Sequence, residues 1–323
     1  MSDAKRTFNL DAMFKPRSIA LVGASTDPTK LSGRPLRFLK EYGYQGKIYP
    51  INPNNAEVQG LKSYPTLAAV PDEIDLAVVG MPAAMVPDMI RECAAKGVKA
   101  VTVFSAGFAE FNEDGKRMQA ELKQVALDGN VALGGPNCAG LIGVRDRVIG
   151  TFNSAMDRGR ILPGPVSFVA QSGALGTYMF AAAQDAGVGF DYWVSTGNEA
   201  VISFSDFVSY FTKQDTTRTI IAYMEDARDG EGFKRCAIDA LEAGKPLIIL
   251  KVGETDAGSK AVASHTGALA GSDKVYSAMF HQTGVIRARD VEDLFDLANV
   301  CATPKYPQGN RTAIITISGG AAS

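Results

Sequence analysis

The sequence is poor in several things that would direct a reading. Of 323 residues only two are histidine and one is tryptophan. Its four cysteines, Cys93, Cys138, Cys236 and Cys301, lie far apart with no CxxC pair. Neither a zinc knuckle nor a disulfide framework is indicated, no metal ligands are expected, and a reducing cytoplasm is the natural setting. No apolar run reaches the ~18 residues a membrane helix needs; the richest, Leu76 to Met89, is broken by Gly80, Pro82 and Pro87. The polar start carries no apolar segment of the kind a secretory signal has. Charge of neither sign dominates, with 33 basic against 35 acidic residues and a net charge of −2. That removes any general attraction to nucleic acid or acidic membrane. Both GxGxxG and GxxxxGK[ST] are absent. A plain nicotinamide-binding or P-loop reading loses ground accordingly.

What is present is an alternation of buried strands and helices. With 46 % apolar and 21 % charged residues, the chain has the balance of a globular protein of two or three domains. Strands are expected at Ser18–Val22, Lys47–Ile51, Asp75–Val79, Ala100–Phe104 and Val131–Leu133. Helices are expected between them at Gly33–Tyr42, Ala83–Lys96 and Asn112–Leu127. Arg145 to Gly164, mixed in charge and carrying glycine and proline, reads as a connection. The pattern then restarts with strands at Val166–Ala170, Tyr192–Ser195, Thr219–Met224 and Leu247–Leu250, and with helices after each and around Asp273–Gln282 and Val291–Ala302. A further strand is expected at Ala313–Ile317. The expected architecture is α/β: a Rossmann-like doubly wound domain over residues 1–145, a second doubly wound domain over 146–303, and the start of a third α/β domain over 304–323.

Ligands of such sheets sit at the carboxyl ends of the strands. In the first domain those ends are Gly23-Ala24-Ser25, Asn52-Pro53, Gly80-Met81-Pro82, Ser105-Ala106-Gly107 and Gly135-Pro136-Asn137-Cys138. All are rich in small residues or proline and suit close backbone approach to a nucleotide. Lys30, Arg34, Arg37 and Lys40 follow the first loop and are either phosphate partners or solvated helix cations. In the second domain Gln171-Ser172-Gly173-Ala174 joins a strand to a helix, so its amides form an anion site. The stretch only loosely matches a nucleophile elbow, because GxSxG would need glycine at Ala170. A hydrolase triad of Ser172, His265 and Asp226 or Glu225 stays open on these residues. His265 stands among small residues in Ala263-Ser264-His265-Thr266-Gly267. A neutral imidazole there is a nucleophile, its phosphorylated form can pass the phosphoryl group on, and Ser264 and Thr266 can bond the anion. Glu225, at the end of a neighbouring strand, can fix the ring tautomer.

Four stretches taken in order, Leu21-Val22-Gly23-Ala24-Ser25, Gly135-Pro136-Asn137-Cys138-Ala139-Gly140, Ser172-Gly173-Ala174-Leu175-Gly176 and Ser264 to Gly271, resemble the nucleoside-diphosphate-forming acyl-CoA synthetases. That superfamily includes the succinyl-CoA synthetase α subunit and the ADP-forming acetyl-CoA synthetases. The resemblance implies a CoA-binding first domain and a flavodoxin-like second domain with a phosphohistidine at His265. Gly23, Ala24, Ser25 and Lys30 would meet the CoA phosphates, and Asn52 and Pro53 would flank its nucleotide. Pro82, Ser105 and Ala106 would line the pantetheine path, with Asn137 and Cys138 near the thiol. Ser172, Gly173 and Ala174, with Ser264 and Thr266, would hold the phosphoryl group. Glu225 would orient His265. The implied reaction turns ATP, a carboxylic acid and CoA into acyl-CoA, ADP and phosphate through an acyl phosphate. ATP and Mg2+ would enter only through an ATP-grasp domain or subunit, a module not found in these residues, and an oligomeric assembly is implied. The rival readings are a non-catalytic CoA-binding or regulatory module of an acyltransferase-type relative, and a nicotinamide dehydrogenase.

Overall fold

The computed structural model describes residues 8–254, 272–303, 305–317 and 320. After a short helix α1 (Asp11–Phe14), the first lobe runs β1 (Ser18–Val22), α2 (Arg34–Glu41), β2 (Lys47–Ile51), the small hairpin β3 (Glu57–Val58) and β4 (Leu61–Lys62), and then β5 (Leu76–Val79). It continues through α3 (Val86–Lys96), β6 (Ala100–Val103), α4 (Glu113–Asp128) and β7 (Ala132–Gly134). Its five-stranded sheet is ordered β2-β1-β5-β6-β7, and every pair in it is parallel. β1, β5, β6 and β7 are buried along their whole lengths. That is why they read as near-continuous apolar runs rather than alternating ones.

The second sheet takes strands from both sides of the expected boundary at residue 145. β8 (Gly140–Gly143) and β9 (Val148–Thr151) form an antiparallel hairpin that belongs to the second sheet, where β8 pairs with β11 (Phe190–Ser195). So part of the stretch read as a connection, Arg145 to Gly164, is strand. The remaining strands are β10 (Pro163–Ala170), β12 (Thr219–Met224), β13 (Leu247–Lys251) and β14 (Ile286–Arg287), and the sheet order is β14-β13-β12-β10-β11-β8-β9. Helices α5 (Gly173–Asp185), α6 (Phe204–Thr212), α7 (Gly230–Glu242), α8 (Asp273–Thr283) and α9 (Val291–Cys301) pack on its faces. Residues 313–317 enter no sheet among the described residues, and Ile314, Ile315 and Ile317 are exposed there. Among the described residues their β-branched side chains meet no neighbouring strand, and pattern alone does not make a strand.

The two lobes share a core rather than a tether. Phe14 of α1 stacks on Tyr210 and meets Tyr192 edge-on, each at 5.2 Å between ring centroids, and Phe211 at 5.3 Å. On another side α2 is bound to the segment after β9. Tyr42 Oη donates to the Met156 carbonyl at 2.9 Å, and Arg37 pairs with Asp157. The carboxyl edges of the two sheets are thereby held facing a common space.

Candidate active site

In the first sheet the chain moves from β1 to β2 on one side and returns to β5 on the other, so the switch point lies between β1 and β5. Gly23 stands there with φ +82, its N–H donating to the Ile51 carbonyl at 3.1 Å. A Cβ at this position would lie 2.6 Å from the Gly80 carbonyl oxygen, so space and backbone angle both demand glycine. The next turns are tied down by their neighbours. Asn52 Nδ2 donates to the Ala24 carbonyl at 2.9 Å, Gln59 Nε2 donates to that of Ser25 at 2.9 Å, and Ser105 Oγ donates to the Met81 carbonyl at 2.5 Å. Gly23, Ala24, Ser25, Asn52, Pro53, Pro82, Ser105 and Ala106 thus share one carboxyl edge, with Lys30 exposed on the loop beyond Ser25. Of the other cations, Lys40 donates to the Gln59 carbonyl at 2.6 Å, while Arg34 reaches the Phe152 carbonyl at 3.3 Å and faces Asp157 at 3.7 Å.

In the second sheet β11 and β12 lie on opposite sides of β10, so the switch point is between β10 and β12. Helix α5 begins there. Ser172 is its N-cap, Oγ accepting the Leu175 N–H at 3.3 Å. The first-turn amides at Gly173 and Ala174 have no carbonyl four residues back within the helix, and they carry the positive end of its dipole. Ser172 has the ordinary extended angles φ −90, ψ 127. That is not the strained turn of a nucleophile elbow, and the hydrolase reading falls with it. Glu225, directly after β12, is 8 % exposed. Its charge adds to burial in pushing the neighbouring Tyr223 hydroxyl up to about 12.

A cavity of about 700 Å³ joins the two edges. The first lobe contributes Phe104, Ala106, Asn137 and Cys138 to its wall, and the second Ser172, Gly173, Ala174 and Glu225. Of the residues singled out from sequence, Arg34, Ala106, Asn137, Cys138, Ser172, Gly173, Ala174 and Glu225 therefore line one space. The others of the first lobe flank it along the sheet edge without lining it. His265, Ser264 and Thr266 lie outside the described residues. Cys138 Sγ is 3.3 Å from the Val103 carbonyl and 3.5 Å from Thr102 Oγ1. Burial pushes this thiol up, which suits a packed turn residue and not a nucleophile.

Among the polar residues of the wall to which the sequence reading gave no role of their own are Gln171, Glu110, Asn198 and Arg228. Asn198 ties the lobes together. Its side-chain amide donates to Glu110 and, at 2.8 Å, to Gln119 Oε1, while its Oδ1 accepts from Asn137 Nδ2 at 3.3 Å. Arg228 donates to the Asn198 carbonyl. Burial raises the Glu110 carboxyl, but the bonds from Asn198 and the Gly107 and Phe108 amides outweigh it and hold the group below the usual range. The side-chain partners of Asn198 lie 61 to 88 residues from it in the chain. The one local hint was Gln171, a large polar residue directly before the small-residue turn of the anion site.

Residues 17–143 match the model described as CoA binding domain, and residues 163–301 the one described as succinyl-CoA ligase like flavodoxin domain. The chain is 40 % identical over 316 residues to the acetate–CoA ligase [ADP-forming] I subunit alpha of Pyrococcus furiosus, covering 97 % of this chain and 67 % of that one. The chain belongs to the ADP-forming acyl-CoA synthetases. A second member of this family, the acetate–CoA ligase [ADP-forming] of Methanocaldococcus jannaschii, is 37 % identical over 317 residues, covering 98 % of this chain and 43 % of its own. Among solved structures, the dinucleotide forming acetyl-coenzyme A synthetase 1 of Ca. Korarchaeum cryptofilum in complex with phosphate and ADP superposes with a TM-score of 0.92 at 37 % identity, over 97 % of this chain and 66 % of that one. The chain thus spans about two thirds of the α subunit and less than half of the single-chain ligase. No helix among the described residues is long and apolar enough to cross a membrane.

Proposed function

We propose that this chain is the CoA-binding and phosphoryl-carrying part of an ADP-forming acyl-CoA ligase. The observation that carries the reading is the shared cavity. The carboxyl edge of a CoA-binding-type sheet and the amino end of α5, with Glu225 beside it, open onto the same space. A thiol arriving along the first edge meets an anion held at the second.

The chemistry runs in three steps. A nitrogen of His265 attacks the γ-phosphorus of ATP and ADP leaves. A carboxylate oxygen of the acid then attacks the phosphorus of the phosphohistidine, giving an acyl phosphate and a neutral imidazole. The CoA sulfur attacks the acyl carbonyl, its proton is lost, and phosphate leaves. The amides at Gly173 and Ala174, with Ser172, Ser264 and Thr266, hold the phosphoryl oxygens, and preorganised donors of this kind supply much of the rate in phosphoryl transfer. Glu225 orients the His265 ring and stabilises its positive charge. Gly23, Ala24, Ser25 and Lys30 receive the CoA phosphates, Asn52 and Pro53 its nucleotide, Pro82, Ser105 and Ala106 its pantetheine arm. Asn137 and Cys138 surround the thiol, with Cys138 a wall residue. ATP with Mg2+ enters through an ATP-grasp domain or subunit, within an oligomer. The three buried free thiols fit a reducing cytoplasm.

The test is ADP release by the full-length protein, with its ATP-grasp part, against a panel of carboxylates with CoA present. Acid- and CoA-dependent ADP formation is expected. CoA binding without turnover on any acid would favour the non-catalytic module instead, and preference for NAD over CoA in a titration would favour a dehydrogenase.

A further inference from the structure

The turn that carries Glu225 is held by side chains from elsewhere in the chain. Three consecutive amides of it are captured. The N–H groups of Glu225 and Asp226 donate to Gln171 Oε1 at 2.6 and 2.9 Å, and that of Ala227 donates to Tyr276 Oη at 3.0 Å. Tyr276 Oη in turn donates to Asp226 Oδ1 at 2.7 Å. Gln171 Nε2 completes the grip, donating to the Asp226 carbonyl at 2.7 Å and to Glu199 Oε1 at 2.9 Å. Both acceptor sites and both donors of this one amide are therefore used, and its orientation follows from the partners: two N–H groups on one side, a carbonyl and a carboxylate on the other. The side chain starts at the end of β10 and spans the crevice to β12, the switch point itself.

A turn amide can be satisfied by water or by its own local caps. Here it is satisfied by a side chain next to the anion site, and the residue so fixed is the carboxylate on the opposite wall of the same cavity. We infer that Gln171, backed by Tyr276, is the positioning residue of Glu225: it sets where that carboxylate stands against the phosphoryl-carrying histidine. The inference rests on the ligase reading above.

The charged groups around Gln171 decide how it can be tested. Glu199 approaches from the turn after β11, where Thr196 Oγ1 also donates to it at 2.9 Å. Glu225, Asp226 and Arg228 approach from the turn after β12. Lys251, at the end of β13, lies 4.4 Å from the Tyr276 ring centre. Gln171→Met removes all four bonds of the Gln171 amide and leaves the two of Tyr276 in place. Gln171→Glu keeps an oxygen for the two amides but sets a second oxygen against the Glu199 carboxylate and the Asp226 carbonyl. Like charge and burial raise the introduced carboxyl, so it is protonated at low pH, regains a donor and mimics the amide, and loses the donor as pH rises.

The experiment uses the full-length ligase with its ATP-grasp part and γ-labelled ATP, following phosphoenzyme formation, kcat, and KM for acid and CoA across pH. Gln171→Met is expected to slow phosphoenzyme formation and kcat by about 10–100-fold at every pH, the order of loss a small misplacement causes. Its KM for CoA should stay within about 3-fold, since phosphoryl positioning is not uniform substrate binding. Gln171→Glu should be as slow at neutral pH and recover toward the parent rate as pH falls. Tyr276→Phe should show a smaller loss in the same steps. A parent-like rate in Gln171→Met overturns the inference. So does an equal loss in CoA binding and rate with no acid-side recovery in Gln171→Glu, which marks a merely structural bond. If the parent enzyme itself forms neither phosphoenzyme nor acyl-CoA, the ligase reading has failed and the inference goes with it.

Discussion

The two sheets are built on one plan but finish their carboxyl edges differently. The first finishes in carbonyls held by side-chain donors: beside a glycine packed on a glycine at Gly23 and Gly80, the loop carbonyls take the amides of Asn52 and Gln59 and the hydroxyl of Ser105. The second finishes in N–H groups caught by side-chain oxygens, those of Ser172 on α5 and of Gln171 and Tyr276 on the turn of Glu225, with Asn198 reaching across to Glu110. An edge of glycine and other small residues admits a long ligand along its length. An edge of fixed dipoles and a buried carboxylate is suited to an anion that exists only for part of a cycle. On the function proposed above, the two edges divide into holding and transferring, and the cavity lies where they meet.

The division can be attacked from either side. The largest effect is expected at Glu225. Glu225→Gln keeps the shape and removes the charge, and should lower the rate of phosphoenzyme formation by about 100-fold or more, within the range general for a positioned acid–base group. CoA affinity, read by titration, should be unchanged; a parallel loss of CoA binding would mean the edges are not separate in function. The reciprocal change is Gly23→Val. With φ +82 and the Gly80 carbonyl 2.6 Å from the added Cβ, the edge must shift. Strain of roughly 1–3 kcal/mol is expected, along with a CoA affinity weakened about tenfold or more, while labelling of the protein by ATP persists. Unweakened CoA binding would move the ligand off this edge. The smallest effect is expected at Cys138. Because its thiol is buried and pushed up rather than activated, Cys138→Ala should keep kcat within about 3-fold. A loss of several orders in kcat would instead place covalent chemistry in the first lobe.

Much of this was legible in the chain before folding. The parallel strands are fully buried, so their apolar runs stand out, and the small-residue turns after them mark the edges. Residues within one turn of such an edge, Gly23 to Ser25 or Ser172 to Ala174, were found for that reason. What escaped depends on distance in sequence. The hairpin of β8 and β9 was hidden because its first strand is bracketed by Gly140 and Gly143 and its turn, from Val144 to Arg147, is mostly charged. Its pairing is with β11, about 50 residues later. Gln171 meets Glu225 and Asp226 across 54 and 55 residues, and Asn198 meets Glu110 across 88. No local period announces such contacts, because a single polar residue needs only one partner and no repeat. The apolar stretch Ala313–Ile317 errs the other way: it has the composition of a strand and no paired strand among the described residues.

The central claim is that phosphorus passes through the second edge on its way to the acid. The direct measurement is to incubate the full-length protein with γ-labelled ATP, digest it, and map the acid-labile, base-stable label. Label is expected on the peptide containing His265, chased off by carboxylic acid and CoA together and absent in His265→Ala. Label on another residue, or an unlabelled protein that still makes acyl-CoA, would contradict it.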